Sequence, residues 1–172
     1  MNAPLQQNST PSRPQPHAGI GDLPRYQPGK RELASRGAPI KLSSNESAFG
    51  ASPAAIAAFH SIANELHRYA DATQSALRKA IADIYRVRQQ RIVCGNGSDE
   101  IIDLLIRGYL GPGDELLLSE NYFVMFEVHG RTQGARIVLA PERNYNMDVD
   151  ALLARVTPAT RMVALASPNN PT

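Results

Sequence analysis

The sequence predicts an α/β protein: a mainly parallel sheet in three layers, with helices on both faces. Two observations carry that prediction. From Arg91 onward, short apolar runs alternate with stretches of helical period. The links between them are short and carry turn signals such as Gly111-Pro112-Gly113-Asp114. Parallel strands need a crossover, and a helix in the crossover covers the sheet, so this alternation argues for parallel βαβ units.

The elements follow in order. Residues 1–24 are rich in Pro, Gln, Ser and Asn and poor in large apolar side chains, so they read as a disordered arm. Residues 25–37 read as a short amphipathic piece, and 39–47 as strand-like residues running into a polar turn. A helix is expected from Ser52, which suits a cap, with Pro53 in the first helical position. Its stripe is Ile56, Phe59, His60, Ala63 and Leu66. A second helix fits 74–86, with Leu77, Ile81, Ile84 and Tyr85 on one face and Asp71 or Thr73 as cap.

The alternation then runs strand 91–94, helix 98–110, strand 115–120, helix 122–133, strand 135–141, helix 148–156 and strand 161–168. Gly130 sits late in the helical stretch at 122–133. The stretch at 148–156 has an acidic first turn, which suits the positive end of a helix.

Bulk properties exclude several classes. The chain has 172 residues, enough for one domain or one domain plus a tail, and 42% of them are hydrophobic. A net charge of +2, with the 18 basic residues dispersed, gives no reason to expect nucleic acid as a partner. No stretch has the apolar length of a membrane span, and the start lacks a signal-peptide pattern. The single cysteine, Cys94, cannot form an internal disulfide. A cytoplasmic protein is the expectation.

Four stretches carry chemistry. In Cys94-Gly95-Asn96-Gly97-Ser98-Asp99-Glu100, a strand end meets a helix start through two glycines. Such a turn brings backbone N–H groups and the positive end of the helix dipole to one point, which suits a phosphate. It also serves as a plain capped turn. No Gly-Lys-Ser/Thr follows, and the third glycine of a dinucleotide fingerprint is missing. In Ser167-Pro168-Asn169-Asn170-Pro171-Thr172, two prolines frame two amides at the carboxyl end of a strand, either as a simple turn or as a ligand contact. Tyr69 sits in the break between two helices and offers a hydroxyl. Tyr122, Phe123 and Phe126 follow a strand end; Phe126 reads as core, and one of the others suits stacking on a planar ligand. The four histidines and Cys94 lack metal-ligand spacing, and no Gly-x-Ser-x-Gly elbow is present.

Taken in order, the stretches beginning at Tyr26 (YQPGK), Leu42 (LSSNES), Arg68 (RYAD), Gly95 (GNGSDEIIDLL), Gly111 (GPGDELLLSE) and Ser167 (SPNNPT) resemble the first half of the histidinol-phosphate aminotransferases. These are a branch of the fold-type I, pyridoxal-phosphate-dependent aminotransferases. The resemblance runs from about residue 25 to the end of the chain. It implies the cofactor pyridoxal 5'-phosphate, an amino donor and 2-oxoglutarate as substrates, and a homodimer in the full-length enzyme. It implies that Gly97, Ser98 and Asp99 receive the cofactor phosphate through backbone N–H groups, that Phe123 stacks on the pyridine ring, where many relatives have tyrosine, and that Asn170 hydrogen-bonds the phenolic oxygen of the ring. It further implies that Tyr69 reaches the phosphate of the neighbouring subunit, although Ala70 stands where the family usually has proline, and that Tyr26 and Asn45 lie near the substrate.

The same resemblance divides the chain into the arm at 1–24, a segment at 25–66 that contributes to a small domain and linking helix, and the first part of the cofactor-binding large domain at 67–172. It places the ring-nitrogen aspartate, the lysine that holds the cofactor covalently and the substrate arginine beyond Thr172. Lys30, Lys41 and Lys79 are the only lysines, and none has a matching context. The expectation is therefore an amino-terminal fragment without the catalytic lysine, inactive alone. Related aromatic amino acid aminotransferases, threonine-phosphate decarboxylases and a non-catalytic phosphate-binding module are the alternative readings.

Overall fold

The computed structural model describes residues 20–23 and 44–170. The expectations for the arm, for the amphipathic piece at 25–37, for the strand-like run at 39–43 and for Tyr26 lie almost wholly outside those residues. Ile20–Asp22 form one short 3-10 turn. The chain divides into two compact units, one containing Arg25–Gly97 and the other Ser98–Thr172.

In the first unit, α1 runs over Pro53–Ile62. It starts as the sequence predicts: Ser52 is extended, and its hydroxyl accepts from the Ala55 N–H at 3.2 Å. A 3-10 turn, Ala63–Glu65, follows. Helix α2 spans Ser75–Tyr85. Asp71 organises its entry by accepting from the backbone N–H and hydroxyl of both Thr73 and Ser75. Those hydrogen bonds, the Thr73 hydroxyl foremost, hold the Asp71 carboxyl far below the usual carboxylate range. The stripe residues Ile56, Phe59, Leu66, Leu77 and Ile84 are exposed.

The strand expected at 91–94 is absent. Gln89–Arg91 form a 3-10 turn, Ile92 is extended, and Ile92–Cys94 join no ladder. A strand exists only with a hydrogen-bonding neighbour, and no described residue pairs with this run.

The second unit is the α/β layer structure that the sequence predicts. Helix α3 runs over Gly97–Tyr109. The turn after it closes through Asp114, whose carboxylate accepts the Gly111 N–H at 3.0 Å. Strand β1, Glu115–Ser119, is buried at every residue. Helix α4 follows at Val124–Thr132 and β2 at Arg136–Ala140. A two-stranded hairpin, β3 (Glu142–Arg143) and β4 (Asn146–Met147), was not legible in the sequence. Its turn residues Asn144 and Tyr145 both have positive φ, at 51° and 61°, as the favoured two-residue hairpin turn requires. Helix α5, Val149–Ala154, is capped by Asp148, which accepts from the Ala151 N–H at 3.1 Å. Strand β5, Thr160–Val163, ends the sheet and is shorter than predicted.

The sheet order is β2-β1-β5, all parallel. Alternation along β1 makes the three layers. Leu116 and Leu118 face Ile106, Leu110 and Phe126 of the α3 and α4 side. Leu117 faces Leu152 of α5 on the other side. All three leucines are fully buried, each worth roughly 1.5–3 kcal/mol of hydrophobic stabilisation. Glu115 is also buried, and register explains how. Its in-register neighbours are Arg136 on β2 and Thr160 on β5. Arg136 pairs with its carboxylate, and the Thr157 and Thr160 hydroxyls donate to it at 2.7 and 3.0 Å.

Gly130 is explained by packing. It is buried where α4 crosses the sheet, and a Cβ there would lie 2.8 Å from Leu116 Cδ2 and 3.0 Å from Ile137 Cδ1. The close helix–sheet approach leaves no room for a side chain.

Candidate active site

Because the three strands are parallel, their carboxyl ends, Ser119, Ala140 and Val163, share one edge of the sheet. That edge is where open α/β sheets hold ligands. The segments leaving it carry a linked set of polar side chains.

After β1 comes Asn121, which is tied twice. Its backbone N–H and side-chain amide donate to Glu142 at 3.2 and 2.7 Å, and the Ser119 hydroxyl donates to the same carboxylate. The bond from Ser119, then those from Asn121, hold the Glu142 carboxyl below its ordinary value. Tyr122 donates its hydroxyl to Glu127, which also accepts from Arg131 Nε at 2.7 Å. Burial, followed by the bond to Glu127, pushes the Tyr122 phenol up to about 12. For Glu127, burial acts upward, but the bonds from Tyr122 and Arg131 outweigh it and the carboxyl titrates low. Phe123 precedes α4, is half-buried, and meets Phe126 edge-to-face at 5.9 Å. Phe126 is core, as expected.

After β5 the chain passes a cis peptide at Ser167–Pro168 into Asn169 and Asn170. The Asn169 side-chain amide donates to the Asn121 carbonyl at 2.9 Å, and its oxygen accepts the Asn170 N–H at 2.9 Å. Asn170 itself is exposed.

The start of α3 is built by Gly97, whose φ of +84° turns the chain into the helix. Ser98 and Asp99 are exposed. The Asp99 carboxylate is engaged by His129 Nε2 of α4 at 3.2 Å, and the other nitrogen of that ring meets Asp103 at 3.1 Å. First-turn amides of a helix have no acceptor within the helix, so this end suits an anion.

A cleft of about 550 Å³ opens at the same edge, lined by Ser119, Asn121, Tyr122, Glu142, Tyr145 and the run from Ala164 to Asn169. Ser98, Phe123 and Asn170 are not part of its lining; their chain neighbours Tyr122 and Asn169 are.

Among the residues singled out in the sequence, the structure puts Phe123 and Asn170 on two tips that the Asn121–Asn169 bond joins. It ties the Asp99 turn to α4 through His129. Tyr69 and Asn45 belong to the other unit, and both are exposed. Lys79 pairs with Asp83 on the exposed side of α2. Sequence reasoning passed over Asn121, Glu142 and His129. The polar Ser119–Asn121 run at a strand's carboxyl end is a signal for the first. The other two act on partners 21 to 30 residues away and leave no local mark. Among the described residues no helix is long and apolar enough to cross a membrane, and no cluster of His, Cys, Asp and Glu is arranged to hold a metal.

Residues 38–172 match the family described as aminotransferase class I and II. The chain belongs to that family. Among curated aminotransferases, a histidinol-phosphate aminotransferase of Rhodopseudomonas palustris (strain TIE-1) is 49% identical over 162 residues, covering 94% of this chain and 44% of the relative. One from Dinoroseobacter shibae is 48% identical over 157 residues, covering 91% and 44%. Among solved aminotransferases, histidinol-phosphate aminotransferase of Sinorhizobium meliloti, determined in complex with pyridoxal-5'-phosphate, superposes with a TM-score of 0.72 at 29% identity, over 75% of this chain and 35% of that one. N-succinyldiaminopimelate aminotransferase of Mycobacterium tuberculosis gives 0.62 at 32% identity, over 69% and 34%. The α/β architecture predicted from the sequence is thus that of fold-type I aminotransferases. The chain spans less than half the length of the curated relatives it matches.

Proposed function

We propose that the chain forms the phosphate-binding and ring-binding part of a pyridoxal-phosphate-dependent aminotransferase that acts on histidinol phosphate and 2-oxoglutarate. The observation that carries this reading is the 49% identity to histidinol-phosphate aminotransferase across 94% of the chain. The donor set fits the cofactor. A phosphate needs amide donors, and the exposed first turn of α3 offers those of Ser98 and Asp99 beside Gly97. A planar ring needs a flat apolar surface, and Phe123 offers one. A phenolic oxygen needs a donor, and Asn170 has a side-chain amide on an exposed tip.

When bound, pyridoxal phosphate supplies the electron sink that lets an amino group leave one carbon and join another. In this reading the chain's residues bind and orient. Ser98 and Asp99 would hold the phosphate by main-chain N–H groups, Phe123 would stack on the ring, and the Asn169–Asn121 bond holds the tip from which Asn170 would reach it. Tyr26 and Asn45 are assigned to the substrate side. Tyr69 is fully exposed, which suits a hydroxyl that serves the phosphate site of a second copy in a homodimer. The exposed apolar residues of α1 and α2 suit the same arrangement, since such surface favours association. A single unpaired thiol suits a cytoplasmic setting.

The test is a titration of the protein with pyridoxal phosphate followed by absorbance, with inorganic phosphate as competitor. Saturable binding that phosphate relieves, and that Asp99→Pro abolishes by deleting an amide, is the expected result. Binding that is indifferent to both overturns the reading.

A further inference from the structure

His129 stands on α4 between two carboxylates of α3. Its Nδ1 meets Asp103 Oδ1 at 3.1 Å and its Nε2 meets Asp99 Oδ1 at 3.2 Å. The histidine side chain is 14% exposed and Asp103 is 19% exposed, whereas Asp99 is 51% exposed. Asp103 is itself fixed by Arg107, whose Nε and guanidinium NH2 group reach it at 3.0 and 2.9 Å. Carboxylates only accept, so the ring holds both when each nitrogen carries a proton: Nδ1–H then donates to the anchored Asp103 and Nε2–H to the more exposed Asp99.

Where that carboxylate goes matters. An acidic side chain in the first turn of a helix is drawn to the positive end of the dipole and to the N–H groups there. Those are the groups a phosphate would use. A carboxylate lying over them repels a dianion and competes for its donors. We propose that His129 is a positioning residue: it draws the Asp99 carboxylate toward α4 and so keeps the start of α3 open to a phosphate. This rests on the phosphate reading of Ser98 and Asp99 given above. It goes beyond that reading, because it assigns a role to a residue that touches neither cofactor nor substrate.

The experiment compares His129→Gln, Asp103→Asn and the double variant His129→Gln/Asp99→Asn with the unsubstituted protein. Pyridoxal phosphate is followed by absorbance. Inorganic phosphate is followed by the shifts of the Ser98 and Asp99 amides. Urea midpoints confirm that each variant folds. Releasing the carboxylate is expected to weaken both probes about tenfold in His129→Gln, and by less in Asp103→Asn, where the ring loses only its anchor. The double variant keeps the Asp99 main-chain amide but removes its charge, so it is expected to recover to within about threefold of the unsubstituted protein. A merely structural role for His129 does not predict that recovery. Unchanged binding in His129→Gln, or weak binding that persists in the double variant, overturns the role of His129 alone. Failure of the unsubstituted protein to take up either probe overturns the phosphate reading and this inference with it.

Discussion

Asn169 donates its side-chain amide to the main-chain carbonyl of Asn121 at 2.9 Å, joining the tips that follow β5 and β1. Glu142 holds Asn121 from the other side, through its backbone N–H and its side-chain amide. The two loops at the carboxyl edge of the sheet thus form one hydrogen-bonded piece.

That relationship predicts the effect of Asn169→Ala. The substitution leaves the part-buried Asn121 carbonyl without this donor and also frees the Asn170 N–H from its acceptor. Stability is expected to fall by about 1 kcal/mol. Pyridoxal phosphate binding is expected to weaken as the Asn170 tip loosens, whereas Asn169→Asp, which cannot donate but keeps its size and its acceptor, recovers only the second bond. Urea denaturation and an absorbance titration read the two effects separately.

Phe123→Ala tests stacking. An aromatic pair contributes roughly 0.5–1.5 kcal/mol beyond area burial, so cofactor affinity is expected to drop about three- to tenfold, with Phe123→Tyr near the unsubstituted value. Loss of the edge-to-face contact with Phe126 also lowers stability, and the tyrosine variant separates that effect from the loss of the ligand surface.

Gly130→Ala weighs two opposing effects. Alanine favours a helix over glycine by about 1 kcal/mol. Its Cβ, however, would stand 2.8 Å from Leu116 Cδ2 in a core where Leu116 is fully buried. Overpacking typically costs about 1–3 kcal/mol, so the balance is expected to be a net loss of about 1 kcal/mol. A urea midpoint at or above that of the unsubstituted protein would show that the core yields more easily than its packing implies.

Acid should loosen the same edge. The folded Glu142 carboxyl titrates below its ordinary value of 4.5, so the unfolded chain binds the proton more readily. The contribution of Glu142 is fully present above the ordinary carboxylate range and is lost as pH falls through the folded value. Glu142→Gln is expected to flatten the stability profile in that acid window and to leave its shape near neutrality unchanged. Urea midpoints measured from pH 7 downward decide it.

Much of this protein was legible before any coordinates. Apart from the hairpin at 142–147, the order of helices and strands from Ser98 to Val163 follows from period and turn chemistry, which are local properties. Ser52 and Asp71 organise the starts of their helices as their side-chain types require. Glycine and proline punctuate where the chain reverses. These features depend on residues a few positions apart, and a sequence displays them directly.

Only the tertiary structure decided what depends on distant partners. The run at 91–94 has strand composition but no ladder, because pairing is supplied by another segment or not at all. Gly130, an apparent weakness in a helix, proves to be where the helix meets the sheet. Asp99 and His129 are 30 positions apart, and Asn121 and Asn169 are 48 apart. No periodicity records such bonds. They exist because parallel strands bring their carboxyl ends to one edge and fold the helices back across the sheet, a consequence of topology that composition and spacing do not contain.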